Sequence, residues 1–320
     1  MKILFAGSPE IALPSLEALV HSSSGGTPSG GAPFGIEVVA VLSQPDRPAG
    51  RGQKETSPPV ALLAKQRKIP LFQPEKLDEP LFKKLKGLSP DLMIVVAYGK
   101  ILPKTFLELP PQGCLNLHFS LLPKYRGAAP VQWALIHDES ETGVTTVRMT
   151  EKLDAGPVLL QRRVPIQQED TVPILSKRLA NIGSELLIET LVALQKGEVV
   201  PEPQDEKETT WAPSLKKEDG QIDWSHSAKS LANLIRGTTP WPGAYTFLDK
   251  KRLKIQNAGA FDLKKKSAPG SVIAITPAGL DVACGQGMLQ LYEVQLEGGK
   301  RLPVAEFLKG HPIAIGAKLG

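Results

Sequence analysis

The sequence predicts an α/β protein: a doubly wound, Rossmann-like, mainly parallel sheet followed by a small C-terminal β-barrel. Three observations carry this. Apolar runs alternate with helical patterns through residues 1–196. A polar, proline-containing stretch then interrupts the alternation. After it, short strands recur at turn-separated intervals.

Lys2 to Ala6, Glu37 to Leu42, Asp91 to Ala97, Cys114 to His118 and Val144 to Met149 read as strands, several continuous enough to be buried on both faces. Pro9 to Val20, Val60 to Lys68, Pro80 to Leu88 and Ala129 to His137 have helical content. Thr171 can cap a long helix in which Leu175, Leu179, Ile182, Leu186 and Leu187 recur at helical spacing up to Gly197. Residues 197–210 (GEVVPEPQDEKETT) are expected to be a linker. Ser225 to Gly237 then forms a helix with Gly237 as its C-cap. Five strands follow: Ala244 to Leu248, Leu253 to Asn257, Ser271 to Ile275, Leu280 to Cys284 and Met288 to Leu296, the last with Met288, Tyr292, Val294 and Leu296 on one face. Strands of this length and spacing close naturally into a small barrel. Ser22 to Gly35 is a Gly/Ser/Pro insertion, expected as a flexible loop without chemistry.

At 320 residues, with 41% apolar and 22% charged content, the chain has the composition of an ordinary globular protein large enough for two domains. MKILFAG is too short for a signal-peptide core, and no apolar stretch approaches membrane-spanning length, so a cytoplasmic protein is expected. Cys114 and Cys284 lie far apart in strand-like runs and read as buried free thiols. The five histidines lack metal-ligand spacing, so no metal is expected. The net charge of +5 is uneven: from Trp211 onward there are 15 Lys and Arg against 9 Asp and Glu. That excess suits a polyanion, although a solvated lysine-rich surface fits the composition as well.

One constellation carries chemistry. In a strand, residues two apart share a face, so Asn116 and His118 project together from the carboxyl end of a central strand, where open α/β sheets bind ligands. An amide donor beside an imidazole suits acyl transfer, one stabilising an oxyanion and the other moving a proton. A buried histidine satisfied by a backbone carbonyl fits the spacing equally well. Gly127 permits a sharp turn after Lys124, Tyr125 and Arg126, and LDAGP places Asp154 where it can reach a neighbouring strand end and orient His118. An ordinary Asx turn is the plainer reading of Asp154.

With these segments together, the chain resembles the methionyl-tRNA formyltransferase family along nearly its whole length. LNLHFSLLPKYRGAAPVQW and EKLDAGPVL are similar to that family's active-site signature. FAGSPEIALPSLEAL, SQPDRPAGRG, VVAYGKILP, IDWS and IRGTTPWPGAY match further segments in the right order. The resemblance implies that Asn116, His118 and Asp154 form the catalytic set and that Ser120, Leu121, Leu122 and Pro123 lie against the folate. It also implies that 10-formyltetrahydrofolate donates to the amino group of initiator methionyl-tRNA. Residues 1–196 would be the catalytic domain and 211–320 an OB-like tRNA-binding domain, with 197–210 between them.

The tRNA reading extends to QPDRPAGRGQK, whose family counterpart inserts into the acceptor stem; Arg47, Arg51 and Lys54 are assigned to tRNA, Arg51 foremost. Lys250, Lys251, Arg252, Lys254 and Lys264 to Lys266 are candidate phosphate contacts. Trp211, Trp224 and Trp241 could stack on bases, with core packing the commoner fate of tryptophan. Two features depart from the family: the insertion at 22–35, and Phe119 at a site where smaller residues are common in the superfamily, which would narrow the pocket.

Other readings explain less. A formyltransferase acting on a small amine, or a hydrolase of formyltetrahydrofolate, needs neither the arginine loop nor the basic C-terminal region. A dinucleotide-dependent oxidoreductase is disfavoured because the turn GSPEIA lacks the second and third glycines of GxGxxG. A protein that only binds RNA has no use for Asn116, His118 and Asp154. A monomer is expected, since no long apolar surface helix is left unassigned.

Overall fold

The computed structural model describes residues 1–23, 35–49, 54–263 and 267–320. Most of the insertion at 22–35, Arg51 and Lys264 to Lys266 therefore lie outside the described residues. The described chain falls into two compact units that do not follow chain order. The first comprises 1–127, 142–165 and 176–212; the second comprises 128–141, 166–175 and 213–320.

The first unit is built on a seven-stranded sheet. In chain order its strands are β1 (Lys2–Gly7), β2 (Glu37–Leu42), β5 (Leu71–Phe72), β6 (Leu92–Val96), β7 (Cys114–His118), β8 (Glu141–Arg148) and β9 (Val158–Pro165); a separate hairpin, β3 (Arg47–Ala49) and β4 (Lys54–Thr56), follows β2. Their order across the sheet is β5-β2-β1-β6-β7-β8-β9. β1 pairs in parallel with β2 and β6, and β6 with β7, whereas β8 runs antiparallel to β7. Because parallel strands are covered on both faces, β1 and β6 read as continuous apolar runs: Ile3 to Ala6 have no exposed surface and all of β6 is buried. Each such Leu, Ile or Val contributes about 1.5–3 kcal/mol when buried.

Helices α1 (Leu13–Ser23), α2 (Pro59–Gln66), α3 (Glu79–Gly87), α4 (Lys104–Leu107) and most of α6 (Val172–Lys196) complete the unit. Leu81 and Leu85 of α3 and Phe106 of α4 share a buried cluster with Leu4, Ala6, Leu42, Met93 and Val95. Asp78 caps α3 by accepting from the Leu81 amide at 3.1 Å. In α6, Gly183 lets the helix approach β7: a Cβ there would lie 2.9 Å from Leu117 Cδ2.

The second unit contains α5 (Pro130–Ile136), α7 (Ala228–Thr238), the strands β10 (Tyr245–Leu248), β11 (Lys251–Phe261), β12 (Val272–Thr276), β13 (Gly279–Ala283), β14 (Met288–Leu296) and β15 (Arg301–Pro303), and α8 (Val304–Gly310). The region expected as an OB-like barrel is one six-stranded antiparallel sheet ordered β10-β11-β14-β13-β12, with β15 on β14. Trp224, Leu231 and Ile235 join Leu253, Ile255, Leu280, Val282, Leu289, Leu291 and Val294 in its core.

Two local expectations are corrected. Gly237 does not cap α7: it lies within the helix, where a Cβ would meet Ile136 Cγ1 at 2.5 Å and the Gln132 carbonyl oxygen at 2.9 Å. Its hydrogen side chain is what allows α5 and α7 to meet. In β14 the core face is Leu289, Leu291 and Val294, with Met288, Tyr292 and Leu296 only partly buried. The β11–β14 register shifts on both sides of the Asn257–Glu293 pair. These irregularities interrupt the two-residue alternation, so Leu291 and Val294 can both face inward.

Candidate active site

β7 brings the first two residues into position. Asn116 lies opposite Val95 of β6 and Val147 of β8, and His118 opposite Thr145, so the strand's carboxyl end is held from both sides. Beyond it the chain turns through residues 119–127 and re-enters beside residues 210–212. Asp154, in the turn between β8 and β9, meets both side chains: Asn116 Nδ2 donates to Asp154 Oδ1 at 3.3 Å, and His118 Nδ1 lies 3.7 Å from Asp154 Oδ2. The His118 and Asp154 side chains are only 6% and 10% exposed, which strengthens any charge interaction between them. The juxtaposition expected from the sequence is thus present.

The backbone supplies what the residue types did not reveal. His118 Nε2 donates to the carbonyl oxygen of Tyr125 at 3.0 Å. A carbonyl only accepts, so Nε2 carries hydrogen and Nδ1 is the ring nitrogen left to exchange a proton. The amide of Gly127 donates to Asp154 Oδ2 at 2.9 Å. Gly127 has φ +123, and a Cβ there would lie 2.6 Å from the carbonyl oxygen of Ala212, so no other residue fits. Tyr125 (φ +60) and Asp154 (φ +49) both occupy the left-handed region despite carrying side chains, a conformation that persists where the surroundings hold it.

Residues 202–212, expected as linker and domain boundary, are bonded to this loop. Thr210 Oγ1 accepts from the Tyr125 amide at 2.8 Å, the Thr210 carbonyl accepts from the Arg126 amide at 2.9 Å, and the Ala212 amide donates to the Arg126 carbonyl at 2.8 Å. Arg126 is 2% exposed; Nε and Nη2 donate to Gln204 Oε1 at 3.0 and 2.8 Å, and Nη1 and Nη2 to the two carboxylate oxygens of Glu206 at 3.1 Å each. The Arg126 hydrogen bond holds the Glu206 carboxyl below its ordinary range.

The four residues expected against a folate divide. Ser120 is fully buried, with its hydroxyl donating to the Lys124 carbonyl at 2.6 Å, and Leu122 is 4% exposed, with its carbonyl accepting from Gln161 Nε2 at 2.7 Å. Both shape the loop from within. Leu121 and Pro123 keep partly exposed side chains. Phe119 is 6% exposed and packs inward.

The described basic candidates are placed at hairpins. Arg47 opens β3 and pairs with Glu75 at 2.9 Å, both side chains about two-thirds exposed; such a pair is worth about 0–1 kcal/mol and yields readily to a phosphate. Lys54 opens β4 opposite Ala49. Asp46 anchors the base of this hairpin, accepting from Ser57 Oγ at 2.7 Å and Gln73 Nε2 at 2.5 Å; these bonds, that of Ser57 first, hold its carboxyl below the ordinary range. Asp249 and Lys250, with φ 50 and 64, form the two-residue turn between β10 and β11. Lys250, Lys251 and Arg252 are exposed and Lys254 partly so, with the Arg252 guanidinium 4.4 Å from the Tyr245 ring centre. Trp224 is a core residue, its indole donating to Thr246 Oγ1, whereas Trp211 and Trp241 are 59% and 56% exposed. Among the described residues there is no cluster of His, Cys, Asp and Glu able to hold a metal, and no helix long and apolar enough to cross a membrane.

Residues 2–191 match the formyl transferase family, and residues 214–312 the formyl transferase C-terminal domain. The chain is 48% identical to a methionyl-tRNA formyltransferase of Citrifermentans bemidjiense, covering 100% of this chain and 96% of that protein. Among solved structures it is similar in fold to WlaRD, a sugar 3N-formyl transferase crystallised with dTDP and 5-N-formyl-THF (TM-score 0.64, 16% identity, 94% of this chain and 98% of that one). It is also similar to HypX from Aquifex aeolicus in complex with tetrahydrofolic acid (TM-score 0.60, 20% identity, 100% of this chain), of whose length it spans about half.

Proposed function

The chain belongs to the methionyl-tRNA formyltransferase family, and from that premise we propose that Asn116, His118 and Asp154 carry out formyl transfer to methionyl-tRNA for translation initiation. The donor is a folate, which we assign as 10-formyltetrahydrofolate, and the acceptor is the free amino group of methionine on initiator tRNA. The observation that carries this reading is the convergence of Asn116 Nδ2 and His118 Nδ1 on the two oxygens of one nearly buried carboxylate.

Each side chain then has a defined task. An amide nitrogen carries two N–H donors; one points at Asp154, and the other serves the oxygen that becomes negative when the amine adds to the formyl carbon. His118, fixed through Nε2 on Tyr125, takes and returns a proton at Nδ1. Asp154 stabilises positive charge on the ring and, held by the Gly127 amide, keeps Nδ1 oriented. The proton lost by the attacking amine passes by way of His118 to the nitrogen that leaves with the folate. Leu121 and Pro123, whose side chains stay partly exposed in the loop after β7, would offer the folate an apolar surface.

We assign residues 1–196 to catalysis and 211–320 to holding tRNA, with 197–210 both joining them and bracing the loop after β7, in a cytoplasmic monomer. Arg47, Arg51 and Lys54 bind the acceptor end, with Lys250, Lys251, Arg252 and Lys254 adding phosphate contacts. The test is formyl transfer from 10-formyltetrahydrofolate to methionyl-tRNA by the intact protein and by His118→Ala. Turnover by the first and its loss in the second, with tRNA binding kept, is expected. Formylation of a small amine while methionyl-tRNA is ignored would overturn the substrate assignment.

A further inference from the structure

We infer that Gln204 is a positioning residue for Asp154, which makes the segment 202–212 part of the catalytic centre rather than a passive connection. The inference rests on the catalytic assignment of Asp154 made above.

The Gln204 side chain is bonded at both ends. Its Nε2 donates to the carbonyl oxygens of Asp154 and Gly156, each at 2.7 Å. Its Oε1 accepts the two bonds from Arg126 Nε and Nη2. Glutamine is the residue type this requires: glutamate has no N–H to give the two carbonyls, and asparagine is one methylene shorter. Nearby, Glu202 and Val158 exchange amide-to-carbonyl bonds of 2.8 Å in both directions, so the segment arrives in fixed register with β9.

The bonded atoms explain why this matters for chemistry. Asp154 sits at φ +49, a conformation that a side-chain-bearing residue adopts at a cost and keeps only when its neighbours hold it. Asn116 and the Gly127 amide fix the carboxylate end, and Gln204 fixes the backbone end. Arg126 lies in the same loop as Tyr125, whose carbonyl holds His118. Gln204 therefore ties the stretch carrying Asp154 to the stretch that orients His118, and the 3.7 Å separation of the two catalytic groups depends on that link. A small displacement there is enough to slow a proton transfer substantially.

The decisive variant is Gln204→Glu, which keeps the shape and the acceptor for Arg126 but removes both donors. Expected is a fall in kcat of about tenfold or more, with KM for the formyl donor and for methionyl-tRNA within about twofold. A residue acting through Asp154 also loses its effect once that carboxylate is gone, so Gln204→Glu should cause no further fall in an Asp154→Asn background. Arg126→Lys, which gives up the paired grip on Oε1, provides a second variant with the same expected direction should Gln204→Glu fail to fold. A folded Gln204→Glu protein with wild-type kcat, or one whose loss multiplies undiminished with that of Asp154→Asn, overturns the inference. Failure of the underlying reading looks different: Asp154→Asn itself would then retain full turnover.

Discussion

His118 and Tyr125 are joined by a 3.0 Å hydrogen bond from the imidazole Nε2 to the backbone carbonyl, and that bond leaves Nδ1 as the ring nitrogen open to proton exchange. Because Nε2 is committed, Nδ1 is the nitrogen that faces the Asp154 carboxylate and the one to which the proposed reaction gives the proton transfer. His118→Ala is expected to lower kcat by about 10²- to 10⁴-fold, the range of general acid–base catalysis. Single-turnover formylation measured beside tRNA binding checks this, since binding should be unchanged.

The two arginines assigned to tRNA should behave differently. Arg51→Ala and Arg47→Ala are expected to raise KM for methionyl-tRNA and to leave the chemical step intact at saturating tRNA. Each removes about one unit from the slope of log affinity against log salt if the residue contacts a phosphate. A salt titration of tRNA binding for each variant gives that slope directly.

Gly237→Ala tests the α5–α7 approach. Alanine improves helix propensity by about 1 kcal/mol, but its Cβ meets the Gln132 carbonyl oxygen at 2.9 Å and Ile136 Cγ1 at 2.5 Å. Overpacking of this kind costs about 1–3 kcal/mol. The net expectation is a lower Tm, in the direction opposite to that of an exposed helical Gly→Ala change.

Alkaline stability follows from three buried acids. Burial pushes the Cys114 thiol from 9.0 up to about 12, Cys284 from 9.0 to about 11, and the Tyr98 hydroxyl from 10.0 to about 12. The unfolded chain releases these protons at lower pH than the folded one, so stability is complete below about pH 9 and declines from there toward about pH 12. Urea unfolding at pH 8 and pH 10.5 should show the loss. Neither cysteine should react with iodoacetamide at pH 8 unless the protein unfolds.

The legible parts of this protein are those where the residue pattern reports burial. β6 (LMIVV) and β7 (CLNLH) stood out because continuous apolar runs are what two-sided burial demands, and Asn116 and His118 because their spacing placed them on one face. Of the two readings of His118, the carbonyl bond is present at Nε2, and the other ring nitrogen faces the carboxylate on which the catalytic proposal rests. The β3–β4 hairpin was hidden because RPA and KET are three residues long and offer no period. The inward face of β14 was misread because paired register shifts with β11 break strict alternation. Gln204 gave no signal, because a polar side chain spent on backbone carbonyls looks the same in sequence as one spent on water.

The ties from residues 202–212 to the loop after β7 also order events in time. As the chain leaves the ribosome, His118 and Asp154 emerge first, but the partners that fix their loop, Gln204, Glu206 and Thr210, follow about fifty to ninety residues later. The nascent first sheet can therefore assemble while the proposed reaction centre is still unfastened. A fragment cut at residue 196, where composition alone would draw the boundary, would carry every proposed catalytic side chain and lack the fastening that holds them in register.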